Sequence, residues 1–145
     1  MTRRIYNQQK VQSSEASQGA ISVSGPLIYK GFNSRNKESH FKQNDVDLVK
    51  QDLLNNFNIR KGEKLELPNY GTIIWSMVFE PMTEENVQII SDDVEEIINR
   101  DPRVNPSNIS VDTTEQGIRI EVDLEYIELN LTEQLVIDFN KRDAE

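Results

Sequence analysis

The chain has 145 residues, 28% charged and 36% hydrophobic, which is the size and composition of one globular domain. It contains no cysteine and one histidine, His40. This excludes a disulfide framework, a thiolate nucleophile and a Cys- or His-built zinc site, so no metal and no cofactor are expected. No apolar run is long enough to span a bilayer, and two arginines near the amino terminus are followed by no apolar stretch. Neither a membrane role nor a secretory signal is expected, and folding in a reducing cytoplasm is.

The net charge of −9 is unevenly spread. Residues 1–44 carry seven basic residues (Arg3, Arg4, Lys10, Lys30, Arg35, Lys37, Lys42) against Glu15 and Glu38, a balance of +5, whereas residues 45–145 carry −14. An acidic body repels nucleic acid and anionic lipid, so neither is an expected partner. The basic arm suits an acidic protein surface, its own body or another chain's.

Residues 1–26 are rich in Gln, Ser and Asn and show no sustained period, and they read as an arm that is either mobile or ordered by a partner. Residues 27–145 read as one domain. Leu27-Ile28-Tyr29 is a short extended stretch, broken by Gly31-Phe32-Asn33-Ser34. Asp45 is placed to cap a helix in which Val46, Val49, Leu53 and Phe57 recur at helical spacing. Leu65-Glu66-Leu67 alternates like a brief strand and Pro68-Asn69-Tyr70-Gly71 is a turn. Ile73, Ile74, Met77 and Val78 predict a short helix ending at Pro81. Thr83 then caps a longer helix with Glu84 and Glu85 in its first turn and Val87, Ile90, Val94, Ile97 and Ile98 on one face. Arg100 stands at its C-terminal end and Pro102 stops it.

After Pro106 the period changes to two. Ile109 and Val111 alternate with polar residues, residues 113–117 turn, and Ile118, Ile120, Val122, Leu124 and Tyr126 alternate with Arg119, Glu121, Asp123 and Glu125. At Ile127 the phase slips, which predicts a bulge or a strand leaving one surface for another. A last strand is Leu135-Val136-Ile137-Asp138-Phe139. The expected fold is α+β: an N-terminal extended arm, two to three helices, then a C-terminal antiparallel β-meander or hairpin.

The 25 carboxylates make a glycosidase-like pair somewhere a matter of chance, and no spacing selects one. No phosphate loop, serine elbow or HExxH helix is present. Two segments leave readings open. Asp101-Pro102-Arg103 is either a plain helix stop or a carboxylate and guanidinium presented together for docking. The stretch from Gly117 to Phe139 is either an ordinary sheet over the helices or a sheet with an edge open to another chain.

The series Arg60-Lys61-Gly62-Glu63, Pro68-Asn69-Tyr70-Gly71, Val78-Phe79-Glu80-Pro81-Met82 and Arg100-Asp101-Pro102-Arg103-Val104 resembles, in order and spacing, the contractile-tail baseplate wedge proteins or sheath initiators. Relatives of that family include a type VI secretion baseplate subunit, and the resemblance runs from about Leu27 to Phe139. It implies a structural, non-enzymatic virion protein, assembled in the host cytoplasm and present six times per baseplate between wedge and sheath. The family's Glu-Pro-Arg wedge-docking motif falls on Asp101, Pro102 and Arg103, with Asp in place of Glu. The resemblance further implies that a strand of the tail sheath subunit pairs with the terminal strands, at Ile118, Ile120, Val122, Leu124, Leu135, Val136, Ile137, Asp138 and Phe139. Expected partners are the wedge core proteins and the sheath subunit, with the tail tube or neighbouring baseplate proteins contacted through the arm. A lysozyme label attached to some relatives makes a peptidoglycan-cleaving accessory the alternative, and a fold resemblance to a bacterial stress anti-adaptor makes a regulatory binding protein a third.

Overall fold

The computed structural model describes residues 11–12, 30–32 and 42–145. Most of the 1–26 arm, and the expected stretch Leu27-Ile28-Tyr29, lie outside the described residues. Strand β1 is Val11–Gln12, and β2 (Lys30–Phe32) pairs antiparallel with β3 (Lys42–Asn44). Gly31 and Phe32, expected to break the chain, instead sit in register opposite Gln43 and Lys42.

Helix α1 (Asp45–Phe57) starts where the sequence predicts, at a corner where Asp45 takes φ 49°. Val49, Leu53 and Phe57 are buried on one face, and Asp45 and Asp47 lie at the positive end of the helix dipole. From Asn58 to Ile73 the chain runs out and back, closed by a parallel bridge between Arg60 and Thr72. Gly71, at φ 100°, is needed here, because a Cβ would lie 2.5 Å from the Ile59 carbonyl oxygen. Leu65-Glu66-Leu67 is not a strand. Leu67 and Tyr70 donate main-chain hydrogen bonds to Lys64 and Leu67, and Leu65 is 95% exposed. Three alternating residues have no neighbouring strand to hold them, so local turns prevail.

Helix α2 (Ile74–Met77) buries Ile74 and Trp75, and the Trp75 indole N–H donates to the Phe57 carbonyl at 2.9 Å. Helix α3 (Glu84–Asn99) is capped by Thr83, whose side chain accepts from the Asn86 N–H. Its predicted face is buried at Ile90, Val94, Ile97 and Ile98, with Val87 half-buried.

Strands β4 (Val104–Thr114), β5 (Gly117–Tyr126) and β6 (Leu131–Asn140) form an antiparallel meander, followed by the single turn of α4 (Lys141–Ala144). The sheet order is β1-β6-β5-β4. Ile118, Ile120, Val122, Leu124 and Tyr126 of β5 join Leu135, Ile137 and Phe139 of β6 in one core with the helices. Phe139 lies edge-on to Trp75 and to Phe57, with centroids 4.9 and 6.3 Å away. The phase slip at Ile127 is neither a bulge nor a change of surface. It is the turn 127–130 between β5 and β6, closed by Asn130 at φ 51°. The bulge lies instead in β4, between Pro106 and Asn108.

A carboxylate is set into this core. Asp93, on the apolar face of α3 and 4% exposed, accepts from Thr72 Oγ1 at 2.6 Å, from the Ile73 N–H at 3.1 Å and from Lys61 Nζ at 3.1 Å. Thr72 Oγ1 in turn accepts from the Ile74 N–H. The carboxylate thus holds both arms of the 58–73 excursion to α3 and fixes the start of α2. Asp93→Ala leaves three donors without their acceptor and is expected to cost about 3–5 kcal/mol. Urea unfolding should show this as a lower midpoint at unchanged slope, with a smaller loss for Asp93→Asn.

Candidate functional site

Asp101, Pro102 and Arg103 occupy the passage from α3 to β4. The Asp101 N–H donates to the Ile98 carbonyl, which closes the helix, and the chain then turns rather than extends. Asp101 Oδ1 accepts from the main-chain N–H of Arg103 at 3.0 Å, a turn that a short carboxylate side chain makes readily. Arg103 Nε donates to Asp101 Oδ1 at 2.8 Å and Nη2 donates to Asp101 Oδ2 at 2.6 Å. Nη2 also donates to Asp52 Oδ2 of α1 at 2.9 Å. The Arg103 carbonyl accepts from the Ile127 N–H in the β5–β6 turn. The carboxylate and guanidinium are brought together, one of the two readings the sequence leaves open, but they are spent on each other and on α1.

The side chains of Asp101 and Arg103 are 13% and 22% exposed, so the pair is better shielded than an ordinary surface ion pair. Hydrogen bonding to Asp101 raises the Arg103 pKa against the opposing effect of burial, with Asp52 adding to the rise. Burial pushes the Asp101 carboxyl up, but the hydrogen bonds and charge of Arg103 outweigh it and hold the carboxyl below its usual range. Beside the pair runs a shallow groove lined by Asp52, Asn56, Tyr70, Arg100 and Pro102. Arg100 is fixed there by Glu96 and by the Asn69 carbonyl. Asn56 is buried and its Oδ1 has no hydrogen-bond partner among the described residues.

The sheet edges form the second candidate site. Ile118, Ile120, Val122 and Leu124 do not offer main-chain groups to an incoming strand, because β5 is flanked on both sides by β4 and β6. Their side chains form the core instead. The available edges are the outer sides of β6 and β4. On β6 the Lys141 N–H donates to the Gln116 carbonyl, and the Phe139 carbonyl oxygen approaches Gly117 so closely that a Cβ there would lie 1.8 Å away. Main-chain groups alternate sides along an antiparallel strand. Phe139, Ile137 and Leu135 therefore bond to β5, and Asp138, Val136, Gln134 and Thr132 face outward.

At the outer edge of β6, Gln12 of β1 lies opposite Asp138 and Val11 opposite Phe139. No other strand pairing occupies this edge among the described residues. Carried through the pairs Ile120↔Ile137 and Val111↔Ile120, the same alternation turns Ile109, Val111 and Thr113 outward on β4. It also turns Pro106 outward, where there is no N–H to give, and the bulge follows at once. The β4 edge is interrupted and the β6 edge is regular.

Sequence reasoning missed Asp52, Asp93 and Asn56. Asp93 carries a signal, standing three residues after Ile90 and four before Ile97 on an apolar face. Asp52 and Asn56 flank Leu53 but meet their surroundings only through tertiary packing. Among the described residues no group of His, Asp and Glu is arranged to hold a metal.

The Asp101 shift sets a pH dependence. A carboxyl whose folded pKa is depressed contributes its full stability above the unfolded value, about 3.9, and loses it as pH falls through the folded value. The stability lost in Asp101→Asn, about 1.5–3 kcal/mol, should therefore be constant above roughly pH 5 and shrink below about pH 4. Denaturant unfolding of both proteins from pH 7 to 3 measures it.

No curated protein matches the chain. A solved structure described as a "putative tail lysozyme" from Geobacter sulfurreducens superposes with a TM-score of 0.57 over 66% of this chain and 90% of that one. The two are 18% identical, so the likeness is one of fold. A family model, baseplate wedge protein gp25, matches residues 43–130, which take in α1, the Asp93-anchored excursion, α3, the Asp101–Arg103 junction and the β4–β5 hairpin. The chain belongs to the baseplate wedge protein gp25 family, structural components of the phage tail baseplate.

Proposed function

We propose that this protein is a sheath initiator of a contractile tail: it docks on the wedge core through the Asp101–Arg103 junction and receives a strand of the first sheath ring on the outer edge of β6. The observation that carries the reading is the difference between the two sheet edges. Thr132, Gln134 and Val136 offer a regular row of outward main-chain groups, while Pro106 and the bulge interrupt β4. Strand addition transfers one backbone geometry from ring to ring with little demand on side-chain identity, and the buried alternation of Leu135, Ile137 and Phe139 sets its phase. Because Arg103 is bonded within the chain, the docking surface is the shaped junction, with Pro102 exposed at its rim and the groove beside it. Six copies around the tube, and an arm of residues 1–26 reaching a neighbouring baseplate or tube protein, complete the proposal.

The name of the Geobacter sulfurreducens protein raises an enzymatic reading. A glycosidase acid needs a carboxyl pushed upward by an apolar site. Glu96 and Asp101 move the other way, both down, held by Arg100 and Arg103. The non-enzymatic reading is adopted, and a cell-wall clearing assay with the purified chain would overturn it by detecting hydrolysis.

Val136→Pro removes one outward N–H from the middle of the β6 edge and none from its bonds to β5. Tails assembled with this variant should contain complete baseplates and tubes with little or no sheath. Full-length sheath on such particles would place initiation elsewhere. Arg103→Ala should lose the tie between α1 and the junction, lowering stability and incorporation into wedges, and Arg103→Lys, which lacks the two-pronged fork, should restore neither fully. Co-purification with wedges, compared with the melting temperature of each variant, separates docking from folding.

A further inference from the structure

The pairing of β1 with β6 gives the outer edge an occupant from the chain itself. Val11 lies opposite Phe139 and Gln12 opposite Asp138, antiparallel, so the outward groups of Asp138 meet the main chain of Gln12. Those of Thr132, Gln134 and Val136 face no strand among the described residues. We propose that Val11–Gln12 is a placeholder strand: it covers the carboxyl-terminal end of the β6 edge in the free protein and is displaced by the strand of another chain that adds along the whole edge. This rests on strand addition at β6 as proposed above, and it adds a competition that decides when addition goes to completion.

The geometry supports both halves of the exchange. An incoming antiparallel strand bonds first at Thr132, Gln134 and Val136, where nothing has to be removed. It then advances towards Asp138 and exchanges one antiparallel partner for another of the same pattern. Two paired residues make a cover that is weak by itself, since even isolated hairpins are marginal in water. A weak cover still hides part of an edge that would otherwise invite pairing between copies of this chain. The basic charge of residues 1–44 beside an acidic body adds an attraction that salt weakens.

The absence of native cysteine makes the test direct. In Gln12→Cys/Asp138→Cys the two sulfurs stand on directly opposed residues, about 5.5 Å apart at Cα in a hydrogen-bonded pair, within the range a disulfide bridges. Loss of the half-buried Arg119–Asp138 bond is common to both redox states of this variant, so the comparison cancels it. Oxidation should form the bridge within the monomer, and failure to form it would overturn the placeholder. Tails assembled with the oxidised form should lack sheath, and reduction should restore it. Sheath on oxidised particles while Val136→Pro still blocks it would overturn the placeholder and leave strand addition standing. Sheath on both would remove strand addition as well. Independently of assembly, hydrogen exchange in the full-length protein should be on the order of tenfold slower at Asp138 than at Val136, and Gln12→Pro should abolish the difference. Equal exchange at the two amides in the unsubstituted protein would overturn the proposal.

Discussion

Arg103 ties the α3–β4 junction to two parts of the molecule that are distant in sequence, α1 and the β5–β6 turn. The guanidinium makes two bonds to Asp101 just past the end of α3 and one to Asp52 of α1, and the main-chain carbonyl of Arg103 accepts from the Ile127 N–H in the β5–β6 turn. A planar fork with fixed donors suits such a junction, because each bond constrains direction as well as distance. The helical half of the chain passes into the sheet here, so the angle at which β4 leaves α3 depends on this residue. An aspartate suits position 101, because its short side chain returns to the N–H of Arg103 while keeping both oxygens for the fork.

Asp93 does for the 58–73 excursion what Arg103 does for the passage to β4. Both place a charge in a partly dry setting and surround it with donors or acceptors, and in both at least one partner comes from distant sequence. Together they make the helix layer a rigid support, against which one face of the sheet is buried. The other face is left polar, with Arg119 bonded to Asp138 across β5 and β6 among Asp112, Glu121, Asp123 and Glu125. The sheet is therefore committed on one face and hydrated on the other, and among the described residues the outer side of β4 and the 132–136 stretch of β6 keep main-chain groups that face no strand.

Most of the secondary structure was legible because it is local. Helix α3 shows its cap and its apolar face in sequence, and β5 shows clean alternation, since one side is buried and one is wet. The turn at 127–130 was misread because a four-residue connection shifts phase as a bulge does, and only the pairing of Tyr126 with Leu131 separates the two. Leu65-Glu66-Leu67 misled for a related reason: alternation is a necessary mark of a strand but does not provide a neighbour. At the junction, the types and closeness of Asp101 and Arg103 were readable, while Asp52, 51 residues away from Arg103, was not. The central position of β5 was equally hidden, as strand order is a property of pairing between segments rather than of any one segment.

The only tryptophan of the chain sits where these parts meet. Its indole is bonded to the end of α1, stacked edge-on to Phe139 of β6 and approached by the Arg60 guanidinium at 6.0 Å. Arg60 also donates to the Ala144 carbonyl, so the last turn of the chain reaches the same ring. Phe139 is the residue whose register partner on the outer edge is Val11. The molecule thus carries an intrinsic fluorophore one ring away from the strand end that changes partners, and its emission gives an optical record of edge occupancy that needs no label.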